Sequence, residues 1–326
     1  MPATTHFHRG LAAATLCAFA FSAAPAFAQY PDHTIRIISP APPGGSPDIM
    51  SHLLQPGMTE RLKQTVIVEA KGGAGGYIGS DYVAKSPADG YTLLLGGAFT
   101  ANTALLQKHS GYDPRVDLVP VAVFSSVPNI LVAGPRLKAN SVAELVAEAK
   151  AAPGTLNMGS NGVGTTLHLS AELFKLRTGT NITHVAYRGW SECVVGVLSG
   201  EVDMMFDNLN TALPNIVAKK LRPLALAAAT RHRSLPDVPT LGELGVPNAE
   251  VTSWFGIMVP AKTPQAVIDK LAETFKAVAE TGDFKRLVEQ QGMDAIYMGP
   301  VESKKFWLDE IDKWEGIIKT SGIETQ

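Results

Sequence analysis

Residues Pro40 to Asp48, PAPPGGSPD, follow the apolar run IRII and have the makings of a loop that holds an anion. Ile35 to Ile38 suit a buried strand and the Pro and Gly cluster the turn out of it. Ser46, Pro47 and Asp48 then suit a helix start, with serine at the cap and proline in the first turn. The first turn of a helix carries backbone N–H groups with no partner inside the helix. Together with the helix dipole they suit a carboxylate or another small anion. A second glycine cluster, Gly72 to Gly76 in KGGAGGYIG, repeats the arrangement after VIVEA, 30 residues later. Two such starts point to one cleft at the carboxyl ends of neighbouring strands; the competing interpretation is a pair of ordinary turns.

Other residues bring different chemistry. Asp207 follows the apolar MMF run, at the expected carboxyl end of a strand where clefts form, and Tyr187 and Arg188 occupy another strand end after HVA. A hydroxyl and a guanidinium there would serve as donors to a carboxylate. Asp48, Asp203 and Asp207 are candidates for an acid pair, although Asp48 near a helix start can simply accept backbone hydrogen bonds. Gly189 to Cys193, GWSEC, imitates a nucleophile elbow around Ser191 but ends in Cys193 where that strained turn needs a small residue. Cys193 reads as a small buried helix residue. His168 and His184 stand 16 residues apart, with no i, i+4 histidine pair and no cysteine cluster. That pattern gives no metal site, and His168 is expected on a helix face near the cleft. The glycine clusters lack both the G-x-G-x-x-G spacing and a following Gly-Lys-Ser or Gly-Lys-Thr, so no nucleotide cofactor is expected.

The elements that must position these residues alternate along the chain. Short apolar strand candidates begin at Ile35, Val66, Tyr91, Ile130, Leu156, Ile182, Val202, Leu224 and Phe255, with helical patterns between them, which argues an α/β fold with mostly parallel sheets. Ser141 and Glu144 make a capping box ahead of AELVAEAKA, and Leu169, Leu173 and Leu176 follow the loop GSNGVGTT at helical spacing. Pro56 and Gly57 are expected to break or kink the first helix after Leu54. Boundaries near Pro128 and Trp254 divide the chain into one domain of residues 29–128 plus 254–326 and another of residues 129–253. The helices after Pro260 cap the first domain, with Ala295 to Met298 as an additional strand.

Residues 1–28 carry an export signal: Arg9, an uncharged apolar core from Leu11 to Phe21, and the cleavage pattern Ala26, Phe27, Ala28. Without them the chain holds Cys193 alone, so no internal disulfide forms, yet it is long enough to build real cores. The whole sequence has 28 Lys and Arg against 30 Asp and Glu; loss of Arg9 takes its formal charge from −2 to −3. Nucleic-acid binding and polybasic membrane attachment thereby lose their electrostatic basis.

In order and spacing, the segments YPDHTIRIISPAPPGGSPD, VIVEAKGGAGGYIGS, PADGYTLLLG, GSNGVGTTLHLSAELF, THVAYRG, SGEVDMMFD, RPLALAAATRHRSLPDVPTLGELG and WFGIMVPAKTP resemble the Bug-type solute receptors of tripartite tricarboxylate transporters. The resemblance covers essentially all of the chain after residue 28. It implies a periplasmic, monomeric, non-catalytic binding protein with a type II-like periplasmic binding protein fold: two α/β domains hinged by crossing strands around a deep cleft. It implies a small organic acid as ligand and a membrane permease as partner, with no cofactor. The first loop would contribute Ala41, Pro43, Gly44, Ser46 and Asp48, and the second Gly75 and Gly76. The opposing wall would hold Ser160, Gly164, Thr165, Tyr187 and Asp207, with Thr100, Asn161 and Arg188 completing the set. Departures from the family pattern fall at His52, Ala70, Lys71, Gly72 and Ala186, which weakens transfer of any particular ligand. Two other functions stay open on the sequence: a sensory receptor that signals to a kinase, and a hydrolase using Ser191 or an acid pair.

Overall fold

The computed structural model describes residues 30–321 and residue 323; the expected export segment lies outside them. The chain begins β1 (Ile35–Ser39), α1 (Ser46–Leu62), β2 (Val66–Ala70), a 3-10 turn (Ala74–Gly76) running into α2 (Tyr77–Ala84), β3 (Thr92–Gly96) and α3 (Ala98–Leu105). A long strand, β4 (Leu118–Ala133), leads to α4 (Val142–Ala151), β5 (Asn157–Ser160), α5 (Thr166–Thr178), β6 (Thr183–Ala186), α6 (Trp190–Ser199), β7 (Met204–Asn208), α7 (Leu209–Val217) and β8 (Arg222–Ala227). The return strand β9 (Thr252–Pro260) is followed by α8 (Gln265–Ala279), α9 (Gly282–Gln290), β10 (Asp294–Met298) and α10 (Pro300–Ser321). No helix among the described residues is long and apolar enough to cross a membrane.

β4 belongs to two sheets in succession. Its residues Leu118 to Pro128 pair antiparallel with β9, which also pairs with β3, and β3, β1 and β2 continue as parallel neighbours. From Asn129 to Ala133 the same strand pairs with β7 and β8, and β7, β5 and β6 continue in parallel. The handover between the two halves therefore falls at Pro128 and Asn129. Strand side chains alternate faces, and burial follows that period. On β3, Leu93 and Leu95 enter one core cluster while Leu94 enters another on the opposite face. Burying each such leucine contributes about 1.5–3 kcal/mol, so both faces must be covered by helices.

Two sequence expectations are corrected here. The first concerns α1, which runs on through Pro56 without a break. Pro56 gives up one internal hydrogen bond, but Leu54 and Met58 on either side of it are fully buried, and Gly57 lies so close to α8 that a Cβ there would meet Val278 at 2.9 Å. Packing of that face outweighs the missing bond. The second concerns Ser46, which does not cap α1; Gly45 is the N-cap and its side makes no capping bond, leaving the serine hydroxyl for another partner. Where the caps are built from side chains, Ser141 accepts from the Glu144 amide as expected, and Thr165 accepts from the His168 amide.

The helices after β9 pack on the first half. α10 buries Trp307 and Trp314, and Glu310 accepts from the indole N–H groups of Trp254 and Trp314, each at 3.1 Å. This fixes Trp254 on the crossing strand. Beside it, Gly256 lies where the β4–β9 register shifts, and a Cβ on it would stand 2.5 Å from the Ala122 carbonyl oxygen. Both atoms belong to a closely paired backbone that cannot yield as a side chain would. Gly256→Ala should therefore lower stability by about 1–3 kcal/mol, the usual penalty of overpacking, as read by urea denaturation; a loss under about 0.5 kcal/mol would show that the bulge absorbs the methyl group.

Candidate functional site

In a strand–helix unit of parallel sheet, the helix begins at the carboxyl end of its strand. Both halves turn those ends toward each other, and a cavity of about 50 Å³ opens between them, room for a few solvent-sized groups. Six helix starts line it: Gly45, Ser46 and Pro47 at α1, Gly75 and Gly76 before α2, Ala98 and Phe99 at α3, Thr165 to Leu167 at α5, Gly189 and Trp190 at α6, and Asn208 at α7. The wall is completed by Pro40, Ala41, Pro42, Gly73, Asn161 and Arg188 and by Ser253, Trp254 and Phe255 of β9. Partial positive charge and outward-facing N–H groups at several helix starts make this a setting for an anion. Aromatic and proline surface supplies most of the rest of the lining.

The rims touch. Gly75, at φ +67°, approaches the opposite rim so closely that a Cβ would lie 2.7 Å from the Val163 carbonyl oxygen, and Gly164, at φ +83°, would bring a Cβ to 3.0 Å from the Thr103 backbone. Pro42 lies against Gly189 in the same way, and Gly44 faces the Trp190 ring. Below the rims a buried chain of hydrogen bonds links the halves. Asn208 donates to Ser46 Oγ at 2.8 Å, and Ser46 Oγ donates to Asn210 Oδ1 at 2.9 Å. Ser253 Oγ donates toward Asn208 Oδ1 at 2.8 Å and Asn129 Oδ1 at 3.1 Å and shares a 2.7 Å bond with Thr166. Asn129 in turn donates to Ser170. One network thus ties α1, both crossing strands, α5 and α7.

Of the residues named from sequence, Ala41, Ser46, Gly75, Gly76, Asn161, Thr165 and Arg188 lie on the cavity wall. Pro43, Gly44, Asp48, Thr100, Ser160, Gly164, Tyr187 and Asp207 stand off it. Asp48 accepts from the Gly44 amide at 3.0 Å and so shapes the first loop. Thr100 accepts from the Gly97 amide at the start of α3. Ser160 is fully buried and bonded to His184 at 2.7 Å. The Tyr187 hydroxyl lies against Gly196. Asp207 is wholly buried, and its carboxylate takes the Trp190 indole N–H, both oxygens at 3.0 Å, with the Thr211 hydroxyl and the Asn208 amide as further donors. Burial raises its carboxyl to about 7 against the pull of those donors. Asp203 binds the Asn157 amide and Arg136, far from any pairing with Asp207. Ser191 is exposed on α6, and Cys193 is buried there, its thiol pushed up by desolvation.

Sequence spacing kept His168 and His184 apart, whereas the structure brings their rings to 4.2 Å and gathers them with Glu172. Their lone pairs are engaged: His168 Nδ1 accepts from the Gly164 amide, His184 Nε2 bonds Ser160, and Glu172 pairs with Lys175 at 2.6 Å. Desolvation lowers the two histidines to about 3 and about 4, so both are neutral near pH 7. They brace the loop before α5. The wall residues that sequence reasoning passed over are chiefly Phe99, Thr166, Trp190, Asn208, Ser253 and Trp254. A signal existed for Phe99 and Trp190, since each follows a glycine at a helix start after a strand end.

The model of the tripartite tricarboxylate transporter family receptors (TctC) matches residues 50–323. The chain belongs to this family. Among curated relatives it is 38% identical to the protein BugT of Bordetella pertussis over 306 residues, covering 93% of this chain and 94% of BugT. Among solved structures, Rpa4515 of R. palustris with adipate is similar at TM-score 0.86 and 34% identity, covering 90% of this chain and 99% of that one. The periplasmic binding protein BugD gives 0.85 and 30%, covering 91% and 100%. MatC of Rhodopseudomonas palustris with bound malate gives 0.83 and 26%, covering 89% and 100%. The chain is thus a Bug-type receptor of the TctC family with the mixed α/β architecture of these periplasmic binding proteins.

The Asp207 carboxyl gives the receptor a titration of definite sign. Its folded value, about 7, exceeds its ordinary 3.8, so the stability it contributes is fully present below pH 3.8 and is lost as pH rises through 7. The histidine pair acts oppositely, losing stability as pH falls from 6.5 toward 4 and 3, but that effect is common to wild type and an Asp207→Asn variant. Wild type should therefore lose stability relative to Asp207→Asn between about pH 4 and 7, by at most about 1.4 kcal/mol per pH unit. Denaturation curves of both proteins across that range measure it. A difference independent of pH would mean that the three donors keep the carboxylate ionised throughout.

Proposed function

We propose that this receptor captures a small carboxylated organic acid in the cavity between its halves and delivers it to a membrane permease without covalent chemistry. The observation that carries the proposal is the convergence of six helix starts on one enclosed space. Backbone donors and helix dipoles there hold a head carboxylate, while Arg188 at the exposed rim offers a second cationic contact. Adipate and malate in the structures of relatives support the ligand class. The apolar core and cleavage pattern of residues 11–28 and the periplasmic relatives support export to the periplasm.

Residues 29–128 with 254–326 act as one domain and residues 129–253 as the other, hinged where β4 changes sheets. A ligand that touches both sides favours the closed arrangement by its differential affinity. Calorimetry against mono- and dicarboxylates, with neutral sugars and amines as controls, tests the class; binding of the controls alone would rule the carboxylate out. Small-angle scattering tests the hinge. The radius of gyration should shrink on saturation with the acid that binds, whereas an unchanged radius would indicate a pocket that is rigid or already shut.

A further inference from the structure

Trp190 is held between the two halves of the molecule by opposite edges of its ring. The residue starts α6 in the second half, and it lines the cavity. Its indole N–H, the one donor the side chain has, points at the Asp207 carboxyl group, 3.0 Å from each oxygen. The far edge of the ring system, at Cζ3, faces Gly44 of the first loop, where a Cβ would stand 3.8 Å away. That loop is shaped by Asp48, which accepts from the Gly44 amide, and it meets the start of α6 a second time where Pro42 lies against Gly189. Asp207 is itself firmly fixed. It is fully buried at the carboxyl end of β7, and its Oδ1 takes the Asn208 amide at 2.8 Å and the Thr211 hydroxyl at 2.7 Å besides the indole. Asp207 thus stands off the cavity wall on several bonds, whereas Trp190 reaches the cavity and has one hydrogen-bonded anchor.

We infer that Asp207 is a positioning residue for ligand capture: its bond to the Trp190 indole holds that ring across the gap between the halves, as a surface against which the bound acid closes. The inference rests on the proposed carboxylate function and deepens it. A tryptophan side chain turns about two bonds, and one seated on a loop beside open space samples several orientations unless its polar tip is tied. Two acceptor oxygens set symmetrically about one N–H favour the orientation that keeps the donor between them. Order present before the ligand arrives does not have to be imposed by it, so affinity depends on the anchor although the anchor never touches the acid. A carboxyl group beneath an anion site also repels the ligand when ionised, an effect of the opposite sign. An amide in its place separates the two effects, because Oδ1 by itself meets the indole, the Asn208 amide and the Thr211 hydroxyl.

The test is a double-mutant cycle read by calorimetry, with adipate and malate as probes. Asp207→Ala and Trp190→Phe should each weaken the acid that binds by at least about threefold, and the double variant should lie within about twofold of Trp190→Phe, since a ring without an N–H gives Asp207 nothing to hold. Smaller single losses, or a larger further loss in the double variant, would overturn the inference while leaving the carboxylate function standing. Asp207→Asn should recover most of the loss seen in Asp207→Ala. An asparagine variant as weak as the alanine one would show that the bond to the indole is not what affinity depends on, and the inference would fall. If neither acid binds, the proposed function and the inference fall together. A readout free of ligand decides should Asp207→Ala not fold. In wild-type protein isotope-labelled at its tryptophans, the indole N–H resonance that disappears in Trp190→Phe should exchange with solvent at least about a hundredfold more slowly than that of an unstructured tryptophan peptide at the same pH. Exchange at the rate of the free peptide would mean that the ring is untied, and the positioning role would be wrong.

Discussion

A helix that follows a parallel strand must begin at that strand's carboxyl end, and this constraint organises the whole receptor. Each half of the molecule is wound this way, and the crossing strands turn the two sets of strand ends face to face. The positive ends of helices from both halves are thereby driven together. Such an assembly is electrostatically one-sided: dipoles of the same sign converge, and each first turn presents N–H groups that no helix can satisfy by itself. Loops compensate at some positions, as Asp48 does for Gly44 and Thr100 for Gly97. Where the cavity opens, an acceptor-rich molecule is the complement that the proposed function supplies.

The rest of the structure is arranged to keep that space small and shielded. Glu310 anchors the Trp254 indole from outside the sheet, and Asp207 anchors the Trp190 indole from beneath it. In each case a buried carboxyl group engages an indole N–H, so that the ring lines the cavity with its one donor already occupied. Asp207 itself stands off the cavity wall and is bonded to Trp190, which lines it. The hydrogen-bonded chain from Ser46 to Ser170 has a similar double character. It is polar, yet its members answer one another, and it spans the line along which the halves meet.

Much of this was legible in the sequence, and the gaps have identifiable causes. The glycine and proline loops and the apolar runs before them located the first two helix starts, because backbone conformation at such positions is dictated locally. The long strand β4 was visible only from Ile130 onward. Its first part, LVPVAVFSSVPN, contains Pro120 and Pro128, which argue against a central strand, and the register shifts beside Pro120 show how the sheet accommodates one of them. Pro56 misled for the complementary reason, since burial on both sides of it outweighed a local rule. Asp207 was correctly set at a strand end, but its partner is Trp190, 17 residues away along the chain, and no spacing rule reveals which side chain will occupy an acceptor. His168 and His184 came together across α5 and β6 by the same kind of tertiary accident. The network residues Asn208 and Ser253 carried no local signature at all.

The donors at the helix starts have a consequence for how such a receptor can change over evolutionary time. A main-chain amide has no codon of its own. Replacing the side chain at a helix start leaves the N–H in place as long as the loop keeps its path, so the proposed grip on a carboxylate is robust to most single substitutions. Exceptions are the contact points at Gly75 and Gly164, where the backbone itself fills the space a side chain would need. Phe99, Trp190 and Ser253, in contrast, are written one codon each. A lineage can therefore trade one acid for another through a few wall positions while the part that recognises an acid as an acid drifts hardly at all.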